Sequence, residues 1–273
     1  MHFLEKLDSI TKKHDSIVCV GLDTDITKLP QVLRKDPNPM YAFNRSIVEA
    51  TADIAQCYKL NLAFYESKGA EGYEALRRTL AVIPDEIVTI GDAKRGDIGN
   101  TSAMYARALF DDLGFDAVTV APYMGSDSVQ PFLDYQDRGT FILGLTSNKG
   151  SQDFQYLMSG DRPLYEHVAS KIKSWNTAQN CGIVVGATHP EELGKIRELV
   201  GDMPILIPGL GAQGGDLEKT IENGVVRGEN PRVICNSSRG IIYADDSPEF
   251  ASAARKKAIE FRDALNAARN ALQ

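Results

Sequence analysis

The chain has 273 residues, of which 43% are hydrophobic and 25% are charged, as in an ordinary globular protein. Its formal net charge of −7 argues against a broad nucleic-acid or anionic-membrane surface, but it permits an anionic substrate in a locally positive pocket. The charged N-terminus lacks the apolar core of a signal peptide, and no run approaches the roughly 18 apolar residues of a membrane span. We therefore expect a cytoplasmic protein with neither nucleic-acid nor membrane partners.

Eight short apolar runs recur along the chain and alternate with amphipathic stretches. The predicted strands cover 17–23, 57–64, 86–94, 117–122, 140–147, 182–188, 204–211 and 232–238. After an N-terminal helix, the predicted helices cover 41–55, 71–83, 101–114, 163–176, 190–201, 216–224 and 247–273. Apolar strands that alternate with helices are typical of a parallel sheet covered by helices. Eight such units predict an α/β fold, a single (β/α)8 TIM barrel over residues 1–273, with a doubly wound open sheet as the main alternative.

The four cysteines are far apart in the sequence and form no C-x-x-C pair. Each one lies in or beside an apolar run: Cys19, Cys57, Cys181 and Cys235. This spacing predicts buried, reduced thiols rather than a metal site or a disulfide framework.

Charged and polar side chains cluster at the ends of the first three predicted strands. They are Asp23 on the first strand, Lys59 and Asn61 on the second, and Asp92, Lys94 and Asp97 on and after the third. Residues spaced by two share a face of a strand, and consecutive strands are usually neighbours, so we expect a row of alternating charge. For any single residue, a structural ion pair or a helix cap is an equally good interpretation. The whole row indicates a functional site, because active sites of barrels lie at this end of the strands.

The position of Lys94 between two carboxylates in the sequence indicates whether its side chain is charged or neutral. A lysine that forms a Schiff base must be neutral, whereas nearby carboxylates favour the charged form. Lys94 between Asp92 and Asp97 therefore suits a cation that donates a proton. A cation here also disfavours a divalent metal, and no cofactor motif is visible, so we expect neither a metal nor a cofactor.

Glycine-rich segments follow the seventh and eighth predicted strands, at 208–216 and 236–240. In barrels these loops often bind phosphate, because glycines let backbone N–H groups approach the anion. Arg239 could add a bidentate contact, although glycine-rich turns are often only tight turns.

The segment from Ser147 to Pro163, after the fifth predicted strand, is long and polar. Loops of this length are often lids over an active site, and Ser147 at its root could contact a substrate. A passive surface loop is the alternative.

Taken together, the motifs resemble the orotidine 5′-monophosphate decarboxylase family. They are VGLD, YKLN, GDAKRGDIGNT, SNKG, PGLGAQGGD and SSRG, in order from the first strand to the eighth. The signature D-x-K-x-x-D alone also occurs in related barrels that act on sugar phosphates. The length and the APYMG segment resemble the longer bacterial branch of the family. The resemblance implies cofactor-free conversion of orotidine 5′-monophosphate to uridine 5′-monophosphate and CO₂ in pyrimidine biosynthesis.

The resemblance also implies catalytic roles and a homodimer. Lys94 would donate the proton, Asp92 and Asp97 would flank it, and Lys59 would complete the charged network. In this family the site is completed across a dimer interface, so Asp97, Ile98 and Thr101 would reach into the partner's site.

Further positions would bind the nucleotide. Asp23 would bind the ribose hydroxyls and Ser147 would read the pyrimidine, while Gln213, Arg239 and the N–H of Gly240 would hold the phosphate. Thr101 would join the substrate contacts, and Asn61 stands where some members have histidine, which leaves its role open. The loop around Gln213 has no clear tyrosine, which some members use on the phosphate.

Two other functions fit the sequence less well. A Mg²⁺-dependent sugar-phosphate decarboxylase or aldolase would need a carboxylate where Lys59 stands, and its activity would be sensitive to EDTA. A non-catalytic nucleotide-binding protein would have no need for so costly a charged cluster.

Overall fold

The computed structural model describes residues 2–210, 216–228 and 230–272. Eight parallel strands close into a barrel, with β1 hydrogen-bonded to both β2 and β8. The strands are β1 (Val18–Gly21), β2 (Cys57–Asn61), β3 (Val88–Arg95), β4 (Ala117–Val120), β5 (Gly139–Leu145), β6 (Cys181–Val185), β7 (Ile205–Pro208) and β8 (Val233–Ser237). Every predicted strand is present and in the predicted order. The TIM barrel is therefore confirmed, and the open-sheet alternative was wrong.

Helices surround the barrel and connect its strands. They are α1 (Phe3–His14), α2 (Pro39–Thr51), α3 (Leu62–Glu66), α4 (Gly69–Leu80), α5 (Gly99–Arg107), α6 (Ser126–Leu133), α7 (Ser151–Phe154), α8 (Leu164–Trp175), α9 (Pro190–Val200), α10 (Leu217–Gly224), α11 (Arg239–Ile242) and α12 (Phe250–Asn270). Among the described residues, no helix combines the length and the apolar character needed to cross a bilayer.

The sequence did not predict α6, which connects β4 to β5. This helix is only eight residues long and contains Pro131, which has no N–H to donate and is a common helix breaker. It follows Gly125, whose φ of 94° is readily adopted only by glycine. These signals are typical of a loop, and packing of the buried Val129 and Phe132 against the barrel stabilises the helix instead.

The strands are apolar because both of their faces are covered. Every residue of β1, β4, β6 and β8 is buried, with one face inside the barrel and the other under the helices. All four cysteines are free and buried, as the sequence predicted.

Helix α1 closes the amino end of the barrel. Phe3 packs edge-on against Phe141, with 5.7 Å between the ring centroids. A Cβ added to Gly139, the first residue of β5, would lie 2.8 Å from the Phe3 ring, so only glycine allows this close approach. The opposite, carboxyl end therefore remains as the open mouth of the barrel.

Candidate active site

Four of the predicted charged side chains meet at the carboxyl end of the barrel. The Lys59 ammonium lies 3.0 Å from Asp92 Oδ2 and 3.4 Å from Asp23 Oδ1. The Lys94 ammonium lies 2.6 Å from Asp92 Oδ1. The side chains thus alternate in charge in the order Asp23, Lys59, Asp92 and Lys94.

Burial and pairing oppose each other at Lys59 and Asp92, which are 3% and 8% exposed. Burial alone would lower the pKa of Lys59, but the charges of Asp23 and Asp92 outweigh it, and the pKa lies above its usual value. Burial alone would raise the pKa of Asp92, but Lys59 and Lys94 outweigh it, and the pKa lies well below its usual value. Both side chains are therefore charged at neutral pH.

Lys94 has an unusual backbone conformation. Its φ of 47° lies in the left-handed region, and the register of β3 against β4 shifts between Gly91 and Arg95. The Lys94 N–H donates to Thr119 Oγ1 at 2.9 Å, and this hydroxyl donates to Asp92 Oδ1, also at 2.9 Å. The ammonium end stays accessible, since 48% of the Lys94 side chain is exposed.

Asp97 does not extend the charged row within this chain. Its Oδ1 accepts a hydrogen bond from the N–H of Ile98 at 2.8 Å, and among the described residues it forms no ion pair with Lys94. It does not cap α5 either, because Ile98 occupies the cap position without a side-chain bond. Within one chain, Asp97 therefore does not contact Lys94, and its place beside the Lys94 of a partner subunit stays a prediction. The D-x-K-x-x-D signature fixes only the separation of Lys94 and Asp97 in sequence. Because β3 ends at Arg95, Asp97 lies beyond the strand that carries Lys94.

Asp97, Ile98 and Thr101 lie on one segment at the start of α5. Ile98 is 56% exposed and Thr101 is exposed as well. The segment follows β3 directly, so it lies beside the barrel mouth, with Ile98 and Thr101 exposed and Asp97 half-buried.

The other predicted binding residues lie at the same end of the barrel. Asn61 ends β2, where its side chain accepts from the N–H of Ala63 at 3.2 Å and caps α3. Ser147 is half-buried just after β5. Arg239 and Gly240 begin α11 just after β8, and both residues are exposed. Gln213 lies outside the described residues.

Sequence reasoning missed two polar residues that hold the cluster. Thr119 contacts Asp92, and Ser238 Oγ donates to Asp23 Oδ2 at 2.8 Å. Asn236 in turn lies 3.4 Å from the Ser238 hydroxyl. Two signals were available in the sequence. Thr119 is a polar residue inside the apolar run AVTV, and Ser238 directly precedes Arg239 in the predicted phosphate-binding segment.

The predicted lid contains regular structure rather than an irregular loop. It includes α7 and a short hairpin of Met158–Ser159 with Arg162–Pro163. Gln155 anchors it at its root, since Oε1 accepts from the Thr146 N–H and Nε2 donates to the Thr146 hydroxyl, both at 2.8 Å. Gln155 thus ties the segment to the residue that follows β5, next to Ser147.

A closed (β/α)8 barrel with interleaved lysines and aspartates at its carboxyl end defines a class of barrel enzymes. At such a site, fixed charges can stabilise the charge that develops during a reaction. Residues 16–254 match the model of the orotidine 5′-phosphate decarboxylase / HUMPS family, and the chain belongs to this family.

Individual relatives agree with this assignment. The chain is 52% identical over 270 residues to an orotidine 5′-phosphate decarboxylase of Dehalococcoides mccartyi, covering 97% of this chain and 98% of the relative. It resembles the solved structure of Leishmania donovani OMP decarboxylase with a TM-score of 0.86 and 38% identity, covering 98% and 99% of the two chains. It also resembles Leishmania donovani UMP synthase, with a TM-score of 0.89 and 40% identity, but covers only 57% of that longer chain.

The buried pairing of Asp92 generates a pH prediction. Asp92→Asn is expected to destabilise the protein by about 3 kcal/mol at neutral pH, because Lys59 keeps only its longer contact with Asp23. The pKa of Asp92 is lower in the folded chain than in the unfolded chain. The contribution of Asp92 to the free energy of unfolding is therefore complete above its unfolded pKa of about 4. This contribution is lost progressively as the pH falls from there towards the lower pKa of the folded chain. Urea unfolding of both proteins between about pH 3 and pH 7 measures this difference.

Asp137→Asn is the matched control, since it removes a carboxylate whose side chain is 66% exposed. It should change the free energy of unfolding little at any pH in this range. A difference between wild type and Asp92→Asn that stayed constant down to the lowest pH would contradict the assigned pairing.

Proposed function

We propose that this chain converts orotidine 5′-monophosphate to uridine 5′-monophosphate and CO₂, as a step of pyrimidine nucleotide biosynthesis. The observation that carries the proposal is the ion-paired cluster in which Asp92 holds the ammonium groups of Lys59 and Lys94. Family membership and the full-length similarity to decarboxylases support the same reaction.

Lys94 is the proposed proton donor. When the carboxylate leaves as CO₂, the electrons of the broken C–C bond remain on a ring carbon. No carbonyl is placed to take up this charge as an enolate would, so the charge must be stabilised by fixed groups around it. The ammonium of Lys94 supplies a positive charge at this point and then delivers the proton that forms the new C–H bond. Asp92 holds the ammonium in place at 2.6 Å.

The proposed mechanism requires no cofactor and no metal. The rival Mg²⁺-dependent reaction needs free carboxylate oxygens, whereas Asp23 and Asp92 both face the Lys59 ammonium. The free, buried cysteines suit an enzyme of the cytoplasm.

The nucleotide is proposed to lie across the barrel mouth. Asp23 would bind the ribose hydroxyls, Ser147 would read the pyrimidine, and Arg239 with the Gly240 N–H would hold the phosphate at the start of α11. Gln213 would join the phosphate contacts. Asn61 already caps α3, so any contact of its side chain with substrate would use the amide nitrogen.

A homodimer would complete the site. Asp97, Ile98 and Thr101 are proposed to approach the Lys94 of the partner subunit, which suits side chains that face outward beside the mouth. Exposed apolar residues on the same side support an interface here, because Met104 on α5 is 52% exposed and Tyr123 after β4 is 87% exposed.

Removing the ammonium of Lys94 tests the catalytic role. Lys94→Ala is expected to lose nearly all turnover while still binding uridine 5′-monophosphate, because the ribose and phosphate contacts remain. Absorbance loss from orotidine 5′-monophosphate measures turnover, and calorimetry measures product binding. Lys195→Ala, which removes an exposed lysine on α9, is the control and should keep full activity. Substantial turnover by Lys94→Ala would reject the role.

Removing the guanidinium of Arg239 tests the phosphate site. Arg239→Ala is expected to lower kcat/KM for orotidine 5′-monophosphate by about 100-fold, because a charge-assisted contact to the phosphate is lost. Orotidine without the phosphate should be decarboxylated equally slowly by variant and wild type. An equal loss with both substrates would show that Arg239 acts elsewhere.

Mixing two inactive variants tests the shared site. Lys94→Ala and Asp97→Ala homodimers should each be nearly inactive, while random exchange of subunits should restore about a quarter of the wild-type activity. The reason is that about half of the dimers are mixed, and each of these has one intact site out of two. No recovery after verified subunit exchange would place Asp97 in the site of its own chain.

A further inference from the structure

We propose that Thr119 is a positioning residue that fixes where the Lys94 ammonium points. The inference rests on the proposed function, since it concerns the proton donor of that reaction. Thr119 lies on β4, next to the strand that carries the charged residues, and it is only 1% exposed. It cannot touch substrate from this position, so it must act through its neighbours.

The hydroxyl of Thr119 bridges two parts of β3. A backbone N–H can only donate and an ionised carboxylate can only accept, so both bond directions are fixed. The hydroxyl accepts from the Lys94 N–H at 2.9 Å and donates its one proton to Asp92 Oδ1 at 2.9 Å. A single side chain thus holds the backbone of the proton donor and the carboxylate that orients its ammonium.

The backbone of β3 explains why such a bridge is needed. Parallel pairing of β3 with β4 is regular up to Gly91 and Val118, and the next pair is Arg95 with Val120. Lys94 lies within this irregularity with a φ of 47°, a conformation that residues with a Cβ rarely adopt. Its N–H bonds to a side chain of β4 instead of a backbone carbonyl. The Thr119 hydroxyl therefore takes the place of a ladder bond and stabilises the left-handed turn.

The same geometry connects the turn to the ammonium. The direction in which the Lys94 side chain leaves the backbone depends on its φ, and Asp92 Oδ1 receives both the Thr119 hydroxyl and the Lys94 ammonium. Without the Thr119 hydroxyl, the Lys94 backbone would lose the acceptor of its N–H. Asp92, which holds the Lys94 ammonium, would lose one of its hydrogen-bond donors. Small displacements of a reacting group lower turnover steeply, by up to about 100-fold for a shift of about 1 Å.

A second buried threonine provides a matched control. Thr140 lies on β5, the neighbour of β4, and it is fully buried. Its hydroxyl has no hydrogen-bond partner among the residues that the structure describes. Thr140→Val therefore makes the same chemical change in the same barrel, but it removes no bond to the charged cluster.

The experiment compares wild type, Thr119→Val, Thr119→Ser and Thr140→Val. We expect Thr119→Val to lower kcat for orotidine 5′-monophosphate by about 10- to 100-fold, with KM and the affinity for uridine 5′-monophosphate within about threefold of wild type. Thr119→Ser keeps the hydroxyl and should stay within about threefold of wild type in kcat. Thr140→Val should be fully active. If Thr119→Val is insoluble, Thr119→Ala removes the same hydroxyl and is expected to show the same loss.

Three results would overturn the inference. The first is a kcat of the hydroxyl-free variant within about threefold of wild type. The second is an equal loss in Thr119→Ser, and the third is an equal loss in Thr140→Val, since either would indicate a general packing effect. An inactive wild-type enzyme would instead reject the proposed function, so the two failures are distinguishable.

Discussion

A buried carboxylate held between two ammonium groups is the interaction on which the rest of this site depends. Asp92 is only 8% exposed, and an isolated carboxylate at such a position would be neutral, since a charge taken out of water is costly. Its two oxygens are divided between partners, with Oδ2 facing Lys59 and Oδ1 facing Lys94. Because each charge stabilises its neighbour, the positions and charges of these groups are fixed before any substrate binds. A fixed field of this kind costs no reorganisation at the moment of reaction.

The barrel provides what this cluster requires. Helix α1 covers the amino end of the barrel through Phe3, so the charged groups lie at the opposite, open end. Parallel strands place their carboxyl ends at one rim, which brings Asp23, Lys59 and Asp92 together from three consecutive strands. The apolar interior below them has a low dielectric and strengthens each ion pair. The same scaffold leaves the Lys94 ammonium facing the opening, where a nucleotide would bind.

Much of this was predictable from the sequence because it depends on simple periodicity. Apolar runs predicted all eight strands, and charged residues at the ends of consecutive strands predicted the row from Asp23 to Lys94. The predictions failed where the structure departs from periodicity or from local rules. Helix α6 was not predicted because it contains Pro131, and tertiary packing stabilises it nevertheless. The role of Thr119 depends on a register shift between β3 and β4, which no single strand encodes. The D-x-K-x-x-D spacing does not by itself say whether Asp97 approaches the Lys94 of its own chain or that of a partner subunit.

The described contacts also connect the proposed reacting end of the site with the proposed phosphate end. Ser238 immediately precedes Arg239, and its hydroxyl donates to Asp23 Oδ2, while Asp23 Oδ1 faces Lys59. A chain of hydrogen bonds and ion pairs therefore runs from Ser238 through Asp23, Lys59 and Asp92 to Lys94, the proposed proton donor. A phosphate held at Arg239 would fix the backbone that carries Ser238, and so would stabilise the whole row without touching the reacting carbon. Binding energy from a remote group can raise turnover as well as affinity when it is used in this way.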